Sequence, residues 1–346
     1  MTNKEIAAKL KISPATLSMI INNRPGISDA TRNRVLQQID ELGLSDMIKY
    51  PTPSPTALNN LCFVVMKRHG EILNQHPFFL LLMENIEKQA RLLGFNVLMT
   101  TIDYRSSMPS QIDRLNKMDI QGIIFFATEM IDADIVYLEK LRYPFVLLDN
   151  DFTKFNVNTV AINNPMGTFQ AIEHLVELGH RKIGYLQCRT RISSFIEREE
   201  GYKEALESFG LALDPQYIYS IRYTEEGSYQ DFKQLLKQNI QLPTALVADD
   251  DTIVSGVMKA LEENGIRVPE DISLVGFNDR PSCKISSPPL TSINVPRHSF
   301  GAEAINLLVK LVRRDEQAEG TGRFTRSLKL RVGTQLIKRQ STQQVC

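Results

Sequence analysis

The sequence of 346 residues contains little cysteine and no long apolar run. Its four cysteines, Cys62, Cys188, Cys283 and Cys346, lie far apart and lack the spacing of metal ligands, so they imply no zinc site and suit reduced thiols. No segment approaches the roughly 20 apolar residues that span a bilayer, and no apolar signal region precedes the first helix. We therefore expect a soluble, cytoplasmic protein without a membrane partner.

The chain also lacks a recognisable catalytic constellation. Its five histidines are scattered, and no Gly-x-Ser-x-Gly, Walker or Gly-x-Gly-x-x-Gly motif occurs. The sequence therefore predicts a protein that is not an enzyme and that uses no cofactor or metal.

Net charge is absent too, because 40 basic residues balance 40 acidic ones. The whole chain therefore indicates neither nucleic acid nor membrane as a partner. Residues 1–50 carry seven basic and five acidic side chains, a net charge of plus two that gives weak support for nucleic acid.

Residues 2–42 show the pattern of three short amphipathic helices. Their apolar residues recur at spacings of three and four, one face per helix, and can close one small core. Thr2, Ser13 and Ser28 stand at N-cap positions, and Pro14 occupies the first helical position after Ser13. Only two residues separate the first helix from the second cap, which is the short connection of a helix-turn-helix. This segment predicts a DNA-binding head at residues 1–45.

The next segment is expected to be a linker, at residues 46–60. Pro51, Pro53 and Pro55 stand at alternate positions, remove amide donors and disfavour a continuous helix. This spacing of prolines predicts a partly extended, semi-stiff connection.

From Leu61 onward, short apolar runs alternate with amphipathic helical stretches in two successive series. The strand candidates are residues 61–65, 96–100, 122–126 and 145–149 in the first series and residues 182–186, 217–221, 244–248 and 271–277 in the second. Continuous apolar strands alternating with helices indicate parallel sheets covered on both faces, so we predict a body of two similar α/β lobes. The expected lobes are residues 61–161 plus 294–325 and residues 162–293 plus 326–340, with a final strand candidate at 327–337. Ligands of open parallel sheets lie outside the carboxyl ends of the strands, which predicts a binding cleft between the lobes.

Five segments resemble the lactose-repressor (LacI-type) transcriptional regulators, whose body is similar to periplasmic sugar-binding proteins. They are KEIAAKLKISPATLSMIINNRPGISDATRNRVLQQIDELG (4–43), ELGHRKIGYL (177–186), REEGYKEAL (198–206), ADDDTIVSGVMKAL (248–261) and VPEDISLVGFNDRPSCKISSPPLTSINVP (268–296). The resemblance spans nearly the whole chain. It implies a homodimer in which residues 61–346 bind a small effector, a sugar or sugar derivative, between the lobes and form the dimer. The two heads would read the half-sites of a near-palindromic operator in double-stranded DNA.

In the head, the resemblance assigns groove-reading positions to Pro14, Ala15 and Met19. Many relatives carry arginine at the Met19 position, where a bidentate bond to guanine gives about 1–3 kcal/mol of discrimination. Ala15 and Met19 offer only apolar contact, so we expect readout to depend more on phosphates and DNA shape. The full set of expected DNA contacts is Thr2, Ser13, Pro14, Ala15, Thr16, Ser18, Met19, Asn22, Ser28 and Arg32. The alternative is a three-helix module that binds protein.

The linker departs from the family pattern. Relatives usually form a hinge helix there, which inserts a leucine into the minor groove. Here three prolines lie where that helix would run, and Leu58, the only leucine between Leu44 and Leu61, is too near the body to be assigned this role. Two alternatives stay open: a hinge helix, or coupling through the spacing of the heads and the order of the linker.

In the body, the expected ligand-binding residues are Phe78, Phe79, Asp149, Ser194, Arg198, Tyr223, Asp250 and Asn278. Arg198 matches the effector-binding arginine of the family, and its fork could hold a carboxylate, a phosphate or sugar hydroxyls. Asp250 stands where relatives commonly carry asparagine, and Asn278 where they commonly carry aspartate. This exchanged pair would still suit a polyhydroxylated ligand, because carboxylate and amide both bond hydroxyls.

Several of these residues also have structural interpretations. Phe78 and Phe79 could be core residues at a helix start, Asp149 could cap a turn, and Tyr223 could cover a surface. Arg198 could form a surface salt bridge.

The sequence thus favours a ligand-responsive DNA-binding repressor. One alternative is a soluble carbohydrate-binding protein whose head does not bind DNA, and another is a body that responds to a partner protein.

Overall fold

The structure is a computed structural model that describes residues 3–22, 26–41, 59–73, 77–317 and 326–345. The head consists of helices α1 (Asn3–Lys9), α2 (Pro14–Ile21) and α3 (Asp29–Glu41). Its core contains Ile6, Leu17 and Val35, all fully buried. Apart from residues 59 and 60, the expected linker lies outside the described residues, as does Leu58.

The body contains helices on both faces of two sheets. The strands are β1 (Asn60–Lys67), β2 (Asn96–Asp103), β3 (Gly122–Phe126), β4 (Phe145–Leu148), β5 (Thr159–Ile162), β6 (Ile183–Cys188), β7 (Ile218–Ile221), β8 (Ala245–Ala248), β9 (Ser273–Asn278), β10 (Thr291–Asn294), β11 (Lys329–Val332) and β12 (Gln335–Ile337). The helices are α4 (Pro77–Leu92), α5 (Met108–Leu115), α6 (Ile135–Leu138), α7 (Asn164–Glu177), α8 (Ser193–Ser208), α9 (Glu225–Leu236), α10 (Asp251–Glu263), α11 (Ser282–Ile285) and α12 (Arg297–Gln317). Short 3₁₀ helices lie at Asp132–Asp134 and Pro215–Tyr217.

Each sheet has six strands. The first has the order β2-β1-β3-β4-β5-β11 and is parallel throughout. The second has the order β7-β6-β8-β9-β10-β12, and within it β12 runs antiparallel to β10. The predicted fold class, a three-helix head followed by a two-lobed body with two largely parallel sheets, is confirmed.

The final segment differs from the expectation that 326–340 belongs wholly to the second lobe. Strand β11 pairs with β5 of the first sheet, and the chain crosses at Gly333 so that only β12 joins the second sheet. Arg331 and Lys329 hold β11 on the first lobe, because both lie beside the carboxylate of Asp151, with the Arg331 Nη2 to Asp151 Oδ2 distance at 2.7 Å. Apolar and polar residues alternate along 327–337, and this pattern does not show that the first half of the segment pairs with one sheet and the second half with the other.

The three crossings between the lobes, β5 to α7, β10 to α12 and β11 to β12, bring the carboxyl ends of both sheets together. The cysteines of the described residues, Cys62, Cys188 and Cys283, are buried and free. Among the described residues, no helix is both long and apolar enough to cross a bilayer.

Candidate functional site

A small cavity lies between the two lobes at the carboxyl ends of the strands. Its lining residues are Ile72, Leu73, Phe126, Thr128, Asp149, Ile162, Ile192, Ser194, Phe195, Arg198, Asp250 and Asn278. Five of the eight residues expected from the sequence are therefore brought together: Asp149, Ser194, Arg198, Asp250 and Asn278. The cavity holds about 20 Å³, room for about one water molecule, so the lobes stand in a closed arrangement.

Arg198 lies on α8 and is almost fully buried. Its Nε donates to Asn164 Oδ1 at 2.9 Å, and its Nη1 donates to the backbone carbonyl of Asp249. The guanidinium stacks on Phe277, with Cζ 3.7 Å from the ring centroid. These contacts fix the plane of the guanidinium before any ligand arrives, which is the preorganisation that bidentate recognition needs.

Asp149 follows strand β4 and has a φ of 77°, a left-handed conformation rare for a residue other than glycine. Thr128, which follows β3, donates its hydroxyl to Asp149 Oδ2 at 2.6 Å. Burial raises the pKa of the Asp149 carboxyl to about 6. Strain and burial at a strand end are features that accumulate at functional sites.

Asp250 and Asn278, the exchanged pair, bond each other across the second lobe. Asn278 Nδ2 donates to Asp250 Oδ2, while Asp250 Oδ1 caps α10 by accepting from the Thr252 backbone amide at 2.8 Å. Arg280 Nη2 lies 3.1 Å from Asp250 Oδ1 and donates to Tyr223 Oη at 2.7 Å. The exchange therefore keeps a complementary donor and acceptor in contact at the cleft.

Of the other three predicted residues, only Tyr223 has a side chain that the structure describes, and it is not part of the cavity lining. Tyr223 lies behind the lining, buried against Phe195 with ring centroids 5.9 Å apart. It therefore orients Arg280 rather than facing the cleft. Phe78 and Phe79 belong to the first turn of α4, and their side chains lie outside the part of the chain that the structure describes.

Two further buried carboxylates support the cleft from the second lobe. Asp249 accepts from Tyr185 Oη and from the Cys188 backbone amide, both at 2.7 Å, and burial raises the pKa of its carboxyl to about 6. Asp251 accepts from Ser292 Oγ at 2.7 Å, and burial raises the pKa of its carboxyl to about 7. Both hold strand ends together rather than facing the cavity.

A chain of polar contacts joins Arg198 to the first lobe. Asn164, which accepts from Arg198, donates through Nδ2 to Glu197 Oε2 at 2.8 Å. Glu197 Oε1 in turn accepts from Arg331 Nη2 at 2.8 Å, and Arg331 also bonds Asp151. Glu197 belongs to the second lobe and Arg331 to the first, so this ion pair bridges the lobes.

A second contact across the cleft joins Glu71 and Thr190. Thr190 Oγ1, in the loop after β6, donates to Glu71 Oε2, in the loop after β1. Lobe opening would have to break this hydrogen bond.

Three residues that support the site, Thr128, Asn164 and Arg280, were not predicted from the sequence. Thr128 and Arg280 each stand two residues beyond the end of a strand, so position after a strand was the available signal. Asn164 is the first residue of α7 and reaches Arg198 over 34 residues of sequence. No local pattern reveals such a long-range contact.

The ionisation of Asp149 gives a pH-dependent prediction. Its folded-state pKa of about 6 exceeds the unfolded value of about 3.9, so its contribution to stability is present below about pH 4 and disappears as the pH rises through about 6. Asp149→Asn keeps an acceptor for Thr128 but cannot ionise. We expect this variant to gain stability relative to wild type between about pH 4 and pH 7, by on the order of 3 kcal/mol. Urea unfolding of both proteins across this range measures the difference, and a pH-independent difference would contradict the prediction.

In the head, two of the three predicted caps lie within the described residues. Ser13 Oγ accepts from the Thr16 backbone amide at 3.0 Å, and Ser28 Oγ accepts from that of Thr31 at 3.3 Å. Both predicted helix starts are therefore confirmed, whereas Thr2 lies outside the described residues.

Helix α2 presents a small, weakly polar surface. Its exposed residues are Pro14, Ala15 and Ser18. Met19 is half-buried over Gly26, where an added Cβ would lie 2.9 Å from Met19 Cε. Asn22 Nδ2 donates to the Ser18 carbonyl at 2.7 Å, and Arg32 on α3 is half-buried. The exposed face offers hydroxyl and methyl groups but, within α2, no cation.

Comparison with known proteins agrees with both parts of the chain. Residues 2–45 match bacterial regulatory proteins of the lacI family, and residues 172–342 match a periplasmic binding protein-like domain. The transcriptional repressor CytR of Escherichia coli is 30% identical over 342 residues, covering 97% of each chain. The ribose operon repressor of Haemophilus influenzae is 29% identical over 316 residues, covering 90% of this chain and 92% of the relative.

Among solved structures, the complex of the transcriptional regulator CelR with cellobiose superposes with a TM-score of 0.71. It is 25% identical, and the match covers 99% of each chain. The family resemblance predicted from the sequence is thereby confirmed. The chain belongs to the LacI family of bacterial regulatory proteins.

Proposed function

We propose that this protein is a transcriptional repressor that binds operator DNA through its head and a sugar or related metabolite in the interlobe cleft. The observation that carries the proposal is the union, in one chain, of a capped helix-turn-helix and a cleft whose polar groups come from both lobes. Two of the relatives named above, CytR and the ribose operon repressor, are repressors by name. Such a regulator acts in the cytoplasm, where bacterial operators lie.

The chemistry of the cleft suits a ligand with several hydroxyl groups. Asp149 and Asp250 supply acceptors, while Arg198 and the amide of Asn278 supply donors. Further members of the lining supply apolar surface for the ring faces of a sugar: Phe126, Ile162, Ile192 and Phe195. Two relatives fit this class by name, a ribose operon repressor and a regulator solved with cellobiose.

The effector would act by binding one arrangement of the lobes more tightly than the other. A cavity of about 20 Å³ cannot admit a sugar, so entry requires the lobes to separate. Opening and closing would change the separation of two heads carried by a dimer. DNA binding and effector binding are then coupled through that separation.

The first lobe offers a surface for a second copy of the chain. Leu98 and Met99 lie on β2, an edge strand of the first sheet, and are 39% and 60% exposed. Exposed apolar residues on an edge strand favour association. We propose a homodimer, whose two heads would read half-sites about one helical turn, ~34–36 Å, apart.

A mobility-shift assay with the promoter of the protein's own gene tests DNA binding. Ser18 is exposed on α2, so Ser18→Glu adds a negative charge facing phosphate without disturbing the core. We expect this variant to bind at least about tenfold more weakly, a loss of ~1.4 kcal/mol.

Ser208→Glu is the matched control, since Ser208 is an exposed serine at the end of α8 in the second lobe. It should bind like wild type. If wild type gives no shift at low salt, with or without candidate sugars, the repressor proposal fails and the carbohydrate-binding alternative stands.

A further inference from the structure

The last turns of α4 and α12 lie at the end of the first sheet where its strands begin, and this end faces the head. Strand β1 begins at Asn60, next to the linker, and the parallel strand β3 begins at Gly122. An added Cβ on Gly122 would lie 2.9 Å from Val312 Cγ2, so the last turns of α12 pack at the edge where the strands begin. Leu92, the last residue of α4, packs against the core of the head.

A basic pocket of about 320 Å³ opens at this end of the first sheet, between α4 and α12. Its lining residues are Leu93, Asn306, Val309, Lys310, Arg313 and Arg314. Gln89 Nε2 donates to Asn306 Oδ1 at 2.8 Å and joins the two helices, while the three cations are exposed. Among the side chains that the structure describes, which exclude those of residues 315–317, none forms an ion pair with these three cations.

We propose that Lys310, Arg313 and Arg314 contact phosphates of the duplex that flanks the half-site read by the head. This proposal rests on the DNA binding proposed above. Lysine and arginine neutralise phosphates and release counterions whatever the base sequence, so such contacts add affinity without specificity. Asp315 and Glu316 follow in the sequence, so the position of the cations, rather than the local net charge, carries the proposal.

Phosphate contacts from the body would supply the charged contacts that helix α2 of the head lacks. The exposed face of α2 carries no cation, and Met19 on the same helix cannot make the bidentate bond to guanine that an arginine makes. A head whose helix α2 carries no cation gains affinity if the body contributes phosphate contacts of its own. The head would then bind one stretch of the duplex, and the body would bind the neighbouring stretch through Lys310, Arg313 and Arg314.

The test compares two duplexes from the promoter of the protein's own gene by fluorescence anisotropy. One is trimmed to the two half-sites, and the other extends about one helical turn further at each end. We expect wild type to bind the longer duplex several-fold more tightly. Arg313→Gln/Arg314→Gln should abolish that advantage. It should also make the plot of log affinity against log salt on the longer duplex shallower, by about one in slope for each phosphate that is no longer neutralised.

Two control variants make the result specific. Lys182→Gln/Lys237→Gln removes the same charge from exposed sites on the second lobe and should keep the advantage of the longer duplex. Arg313→Lys/Arg314→Lys keeps the charge and should also retain it. Equal binding of both duplexes by wild type, or an equal loss on both by the glutamine variant, overturns the proposal. Failure of wild type to bind either duplex would instead refute DNA binding itself.

Discussion

Replacement of Arg198 by alanine is expected to remove most of the thermal stabilisation that an effector gives to the wild-type protein. Arg198 is the buried cation of the cleft lining, and Asn164, Asp249 and Phe277 hold its guanidinium in place. A hydrogen bond to a charged group contributes ~1.5–3 kcal/mol, so losing one such bond should weaken binding by about 10-fold to 100-fold. Losing a bidentate pair would weaken it further.

Thermal-shift screening against a panel of sugars and sugar phosphates measures this effect. Arg198→Lys keeps the charge but loses the planar fork, so it should retain part of the stabilisation. Ser208→Ala, on the same helix but exposed, should respond like wild type. An unchanged shift in Arg198→Ala would place the ligand elsewhere. No shift for any compound in wild type would favour a body that responds to a partner protein.

Local patterns predicted most of the fold because burial on both faces leaves a continuous apolar run. The runs at 122–126 and 145–149 became β3 and β4 for this reason, and the caps Ser13 and Ser28 set the helix starts. Strands β5 and β10 were not predicted. Each has four residues and mixes threonine, serine or asparagine with apolar residues, so neither has a recognisable period.

The site was predictable as far as it follows strand ends and the family pattern. Asp149 directly follows a strand, Asn278 ends one, and Arg198 stands in a recognisable motif, so the structure brings them together as expected. Tyr223 lies behind the cavity lining, because a residue after an edge strand can turn toward either side of the sheet. Its hydroxyl turns to Arg280, a partner 57 residues away that no spacing rule identifies.

The bridge between Arg331 and Glu197 was also beyond the sequence, because it required strand β11 to lie in the first sheet. Its two side chains come from different lobes, so the ion pair stabilises the closed arrangement and breaks on opening. Glu197 also bonds Asn164, which orients Arg198. We therefore interpret Arg331 as a residue that couples lobe closure to the effector site.

Arg331→Met is expected to shift the ligand-free protein toward the open arrangement. Partly exposed ion pairs contribute about 1 kcal/mol, and Arg331 is 30% exposed against 17% for Glu197. An effector that binds the closed arrangement must then supply the free energy of closing the lobes, so its apparent affinity should fall about fivefold. Its association should become faster, because more of the free protein is open. Stopped-flow and equilibrium titration with an effector found in the sugar screen separate the two effects.

Arg222→Met serves as the control, because Arg222 pairs with Asp231 inside the second lobe at 2.8 Å. It removes an ion pair of the same kind without crossing the cleft, so it should affect stability but not the association rate. Arg331→Lys should restore part of the affinity, since it keeps a cation beside Asp151 and Glu197. If Arg331→Met lowers stability to the same extent but leaves affinity and association unchanged, the bridge only stabilises the fold. A contact that forms only in the closed arrangement predicts both a fall in affinity and a rise in association rate. Its removal raises the population of the open arrangement, which a ligand can enter, and lowers the population of the closed arrangement, which retains the ligand.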